Sequence, residues 1–343
     1  MSAHLGVTFD MEETISPAPP PQNFEPLDIP PPPPPSDRLL SIFLGNDGLR
    51  AGWRFLIYVA FFVILLTALQ FMLRPLRGYL ALGLLRQLVN ETTLALAAII
   101  PAFVMGWIEK RPFGLYGLPG KAAFGKLFWI GILWGLGGIT LLLLVLRGVH
   151  AFYFGGLVLH GTRLVKFASY WAVFFVIVGL FEEYLLRGYT QFTLTRGLRF
   201  ASGLVMRAFP SITQPQSVSF WIAAFLLSAM FGLVHLGNPG ESPIGALAAA
   251  AIGFFFCLTL RRTGNLWFAV GFHMSWDWAE TFLYATPNSG LRAPGHMLNS
   301  SFHGPDWLTG GSVGPEGSVV VFITIVLLWI AFDRKYREVK YEA

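Results

Sequence analysis

Residues 181–188 read Phe181-Glu182-Glu183-Tyr184-Leu185-Leu186-Arg187-Gly188, and they close a run from Phe167 to Leu186 that is otherwise apolar enough to cross a bilayer. An ionised carboxylate in hydrocarbon costs about 2.5–3.5 kcal/mol on insertion scales, so such groups face a protein interior or a wet cavity. On a helix, Glu183 and Arg187 stand one turn apart on one face with the acid first, the favourable order for an ion pair. Glu182 is turned about 100° from that face. The spacing predicts a braced carboxylate at 183 and a free one at 182.

Composition agrees with a membrane setting. The chain's 343 residues are 54% hydrophobic and 13% charged, against roughly 25% charged in soluble domains. An all-α, polytopic membrane protein is expected, with the lipid bilayer as its surroundings. The net charge is +5, but the basic residues lie between apolar runs, where cytoplasmic retention accounts for them. Nucleic acid is therefore not an expected partner. The single cysteine, Cys257, excludes an intramolecular disulfide and a cysteine-based metal cluster, and reads as a small buried apolar residue.

Residues 1–49 form an acidic tail carrying Pro17, Pro19, Pro20, Pro21, Pro26 and the run Pro30 to Pro35. Such a segment cannot bury a core and is expected to be disordered and extended, in the manner of polyproline II. It lacks a basic stretch followed by an apolar one, so it does not read as a signal peptide. A partner with a proline-binding groove is one occupant for it, and a plain solvated tail is the simpler reading.

Eight apolar runs follow, approximately Trp53–Leu73, Leu84–Ile108, Phe124–Leu146, Phe167–Leu186 or beyond, Ser219–His235, Ile244–Leu260, Leu266–Tyr284 and Ser318–Phe332. A spanning helix needs about 20 residues, so eight transmembrane helices are expected. The resulting division is the tail, a first group of three helices over 50–165, a core over 166–285, an extracytoplasmic loop over 286–317, and a last helix with a short basic tail over 318–343. With the N-terminus inside, most of the 24 lysines and arginines fall on the inner side, which places both termini in the cytoplasm. The loop would then lie outside. Its His296, His303, Asp306 and Glu316 have no regular ligand spacing and read as solvated; His150 and His160 read as interfacial.

Two further apolar runs carry polar residues at helical spacing. Phe231 and His235 are one turn apart on the fifth run, and His273 and Asp277 on the seventh. Singly, each reads as an interfacial histidine or a helix-locking pair. As a set, Glu182, His235, His273 and Asp277 are ionisable groups on three segments that must all avoid lipid, most simply by sharing one cavity. A glutamate and two histidines can activate water as a general-base system or as a three-ligand zinc site.

The ordered motifs Glu182-Glu183-x-x-x-Arg187, Phe231-x-x-x-His235 and His273-x-x-x-Asp277 resemble those of the CPBP intramembrane proteases, which include the CAAX prenyl endopeptidases and the Abi proteins. The resemblance covers roughly Phe167 to Glu280. It implies an intramembrane endopeptidase acting on a peptide or membrane-protein substrate, with Glu182 and His235 activating water. His273 and Asp277 would stabilise the oxyanion or complete a metal site, with Zn2+ on Glu182, His235 and His273. Glu183, Arg187 and Phe231 would support the site. The prenyl-endopeptidase branch has asparagine where this chain has Asp277, and an ionised aspartate cannot donate a hydrogen bond. That change leans toward metal coordination, orientation of His273, or a non-catalytic relative.

The alternatives are a bacteriocin-immunity or binding protein of the same fold, and an ion-coupled transporter. A CAAX substrate is not presumed, and a bacterial inner membrane is the expected location. One geometric requirement stands out. For Glu182 and His235 to meet, the fourth helix must continue to about Thr195, and the fifth must end below the surface at Gly237-Asn238-Pro239-Gly240, which is tolerated where backbone lines a cavity.

Overall fold

The computed structural model describes residues 38–45, 48–76, 83–209, 211 and 214–341. After the short helix α1 (Arg38–Phe43) come a two-residue hairpin, β1 (Leu44–Gly45) and β2 (Gly48–Leu49), and then α2 (Ala51–Met72), α3 (Gly83–Ile108) and α4 (Lys126–Gly148). Strand β3 (Phe152–Tyr153) precedes α5 (Gly161–Arg187), α6 (Tyr189–Gly197), α7 (Arg199–Ala208), α8 (Pro215–His235), α9 (Pro243–Thr263) and α10 (Trp267–Trp278). The chain closes with β4 (Ser301–Phe302), α11 (Asp306–Thr309) and α12 (Val320–Lys335).

Among the described residues, six stretches are long and apolar enough to cross a membrane: α2, α3, α4, α8, α9 and the 37-residue stretch Gly161–Gly197 formed by α5 and α6. The protein is an all-α, multi-pass membrane protein. The expected seventh and eighth runs are helical but shorter, with 12 residues in α10, extended by a π turn at Ala279–Leu283, and 16 in α12. For α10 the reason is its surroundings. Protein encloses most of its residues, including Phe268, Val270, Phe272, Ser275 and Asp277, so bilayer thickness does not set its length.

Glycine notches let α10 reach this central position. A Cβ on Gly271 would stand 2.1 Å from the Phe128 carbonyl oxygen, and one on Gly135 would stand 2.3 Å from that of Phe272. Only hydrogen fits at these positions, so α4 and α10 pack backbone to backbone, as small residues permit in membrane helix pairs. Around the contact, Phe255, Phe268, Phe272 and Phe332 form one buried cluster. The long fourth span bends at Gly188 and continues to Gly197, meeting the length expected of it. The fifth ends at His235, before the Asn238-Pro239-Gly240 turn.

Two expectations need correction. The proline run lies in residues 1–37, outside the described residues, but the end of the expected tail is ordered. Phe43 packs on Trp53 at 4.8 Å between ring centroids, and Leu44 pairs with Leu49. Beyond Pro35 the backbone N–H donors and apolar side chains return, so a hairpin can form.

The loop over 286–317 is not wholly solvated either. β4 pairs with β3, Val313 is buried, and the Gly290 N–H donates to the Val313 carbonyl at 3.0 Å. Gly314 has φ +100°, and a Cβ there would stand 2.1 Å from the Pro287 carbonyl oxygen, so glycine lets the two limbs of the loop close on each other. His303 and Asp306 are exposed as expected, whereas Glu316 is turned inward to a cavity.

The notches predict a contrast along one helix. Gly135→Leu should destabilise the protein by about 1–3 kcal/mol, the usual effect of overpacking. Gly137→Leu, where a Cβ meets nothing within 4 Å, should melt near the wild-type temperature. Thermal unfolding in detergent reads both.

Candidate active site

The sequence-predicted residues gather around one cavity of about 260 Å³, between α5, α8, α9, α10 and the loop before α12. Glu182, Phe231, His235, His273 and Asp277 all line it. Part of its wall is apolar, with Phe174, Val178, Ile252, Phe256 and Ile325.

Glu183 is fully buried beneath this cavity. Its Oε1 accepts from Arg187 Nη1 at 3.2 Å, the one-turn pairing its spacing predicts, and also from His273 Nδ1 at 2.9 Å. One carboxylate thus ties α5 to α10. Arg187 is also fully buried, with its guanidinium over the Phe231 ring at 4.6 Å, a cation–π contact that strengthens where water is excluded. Space for it comes from α9, where a Cβ on Gly253 would stand 2.1 Å from Arg187 Nη2. The sequence reading missed Gly253, since nothing in its local pattern marks it.

This bracing orients both histidines. With Nδ1 committed to Glu183, His273 turns Nε2 toward Glu182 Oε2 at 3.6 Å and Asp277 Oδ2 at 3.4 Å. Phe256 stacks against the same ring, with centroids 5.9 Å apart. His235 donates Nδ1–H to the Phe231 carbonyl at 2.8 Å. A carbonyl only accepts, so in the neutral ring Nε2 is left as an acceptor. Phe231 therefore meets Arg187 with its ring, and His235 with both its carbonyl and its ring, whose centroid lies 4.4 Å from that of the imidazole.

Three further acids belong to the cavity that the sequence either did not single out, as with Glu91 and Glu241, or presented as solvated, as with Glu316. Glu91 on α3, Glu241 before α9 and Glu316 in the loop line the cavity with Glu182 and Asp277, and Asn288 and Ser289 join them. Glu91 lay in an expected span and was readable as an intramembrane acid; Glu241 and Glu316 sit in glycine- and proline-rich turns that look solvated in one dimension. Burial, and secondly the Asp277 carboxylate, push Glu316 up to about 7.

The residues bear directly on a metal. Among the described residues, the His, Cys, Asp and Glu side chains whose ligand atoms all come within 4.8 Å of one another are Asp277, Glu280 and Glu316. Glu182, His235 and His273 share the cavity without forming such a group, so the zinc trio is not a good fit here. The three that do gather offer only oxygen, a donor set for hard cations rather than zinc.

Residues 164–279 match the family model described as Type II CAAX prenyl endopeptidase Rce1-like, in agreement with the family the three motifs resemble. The matched span holds Glu182, Glu183, Arg187, Phe231, His235, His273 and Asp277, and it supports an intramembrane protease function. No curated protein matches the chain.

The pairing at Glu183 predicts strong non-additivity. Arg187→Met leaves a buried carboxylate without its cation and should destabilise the fold by about 3–5 kcal/mol. Adding Glu183→Gln should recover part of that loss, giving a coupling that a double-mutant cycle of denaturation midpoints measures.

Proposed function

We propose that this protein is an intramembrane endopeptidase that hydrolyses a peptide bond with water activated by Glu182. The observation that carries the reading is the convergence of Glu182, His235 and His273 from three helices on one cavity, within a span that matches a CAAX endopeptidase family.

A peptide in extended form enters from the cytoplasmic side or laterally between helices, and its side chains meet the apolar wall of Phe174, Val178 and Ile252. Glu182, with His235 as a second acceptor, takes a proton from water as the water oxygen bonds to the scissile carbonyl carbon. This is general-base catalysis, typically worth about 10²–10⁴-fold. The tetrahedral oxyanion requires a donor placed where its charge develops. His273 Nε2, fixed by the Glu183 bond on the other ring nitrogen, supplies that donor when it carries a proton. As the C–N bond breaks, the proton held by Glu182 passes to the leaving amine. Asp277 acts as a positioning residue, its Oδ2 lying 3.4 Å from the same Nε2.

Glu183, Arg187 and Phe231 brace the site, and residues 166–285 form the catalytic core. Positive charge places both termini in the cytoplasm, and a bacterial inner membrane accommodates the arrangement. The substrate is a peptide or membrane protein, of which prenylated C-terminal peptides are one class.

The test compares N- and C-termini of membrane proteins in cells expressing wild type or Glu182→Ala at matched levels. Termini unique to wild type, reduced about 100-fold or more in the variant, are expected. Identical termini with both proteins folded would overturn the reading in favour of a binding, immunity or transport role.

A further inference from the structure

We propose that Asp277, Glu280 and Glu316 form a binding site for a hard divalent cation of the Mg2+, Ca2+ or Mn2+ class, which fastens the loop before α12 to the end of α10. Their ligand atoms lie within 4.8 Å of one another, and like charges so close repel strongly where protein limits screening by solvent. Something positive must enter, or protons must be retained. A second observation points to a ligand. Glu280 is fully buried, and neither of its carboxylate oxygens has a hydrogen-bond partner. A buried carboxylate without partners is the arrangement that folded proteins avoid most consistently.

The surroundings prepare the other two ligands. Trp276 Nε1 donates to Glu316 Oε1 at 3.2 Å, while the Ser289 hydroxyl and N–H donate to Oε2 at 2.9 and 3.3 Å. Asp277 Oδ2 faces His273 Nε2 at 3.4 Å. Glu280 sits in the π turn Ala279–Leu283, a distortion frequent at functional sites. Three carboxylates with no imidazole or thiolate match Mg2+, Ca2+ or Mn2+ better than zinc or copper. Glu280 and Glu316 lie outside the span that matches the family. The proposal stands whether or not the cavity performs proteolysis.

The test uses the full chain purified in detergent and stripped with a chelator. Tb3+, a luminescent stand-in for hard cations, should give saturable emission when excited through Trp276, the indole bonded to Glu316. Ca2+ or Mn2+ should displace it and should raise the melting temperature of the stripped protein.

Glu280→Gln should weaken Tb3+ binding at least tenfold and remove the Ca2+-dependent shift in melting temperature. Trp276→Phe should lose most of the emission and keep that shift. Should Glu280→Gln fail to fold, Glu316→Gln gives the same reading. Wild type without saturable emission or a cation-dependent shift, or a folded Glu280→Gln that binds as wild type does, would overturn the proposal. A wild type stabilised by mild acid and by no cation would overturn it too, and would assign the cluster to shared protons.

Discussion

A single buried carboxylate, Glu183, is the constraint from which the site's geometry follows. Its Oε1 receives both the Arg187 guanidinium and the His273 ring. Isolated charges are expensive to bury and are strongly destabilising when one partner is lost. The pair on α5 can therefore persist only where aromatic rings and a glycine make a dry pocket for the guanidinium, and Phe231, Phe256 and Gly253 provide it. Because the carboxylate also holds His273, the interaction that stabilises the helix packing fixes one imidazole against Glu182. Stability and site geometry depend on the same contact.

The sequence revealed much of this because helical spacing is local. Glu183 and Arg187, Phe231 and His235, and His273 and Asp277 are each one turn apart, and the expense of placing ions in lipid requires their segments to converge. It did not reveal that Glu183 reaches across to His273, since that bond joins residues 90 positions apart. Gly253 was invisible for the same reason. Its role is defined by a side chain arriving from another helix.

The count of spans and the character of the loop show a different limit. Length decides whether a helix crosses lipid unaided, and α10 is relieved of that requirement because protein surrounds it. Glu316 resembled any acid in a glycine-rich connection until the backbone turns around Gly314 carried it inward. Its arrival adds to an already acidic cavity, where, among the described residues, Glu91, Glu182, Glu241 and Asp277 face two histidines. That imbalance favours cationic occupants, whether protons, a metal ion or a basic group on a peptide.

The central claim is that Glu182 and His235 face one water-accessible cavity inside an otherwise closed membrane fold. A water-soluble thiol reagent tests it directly, with the buried native Cys257 as an internal reference. Glu182→Cys and His235→Cys should each take up one label per molecule, at the introduced thiol, while Cys257 stays unmodified. No labelling at either position, or equal labelling of Cys257, would contradict the account.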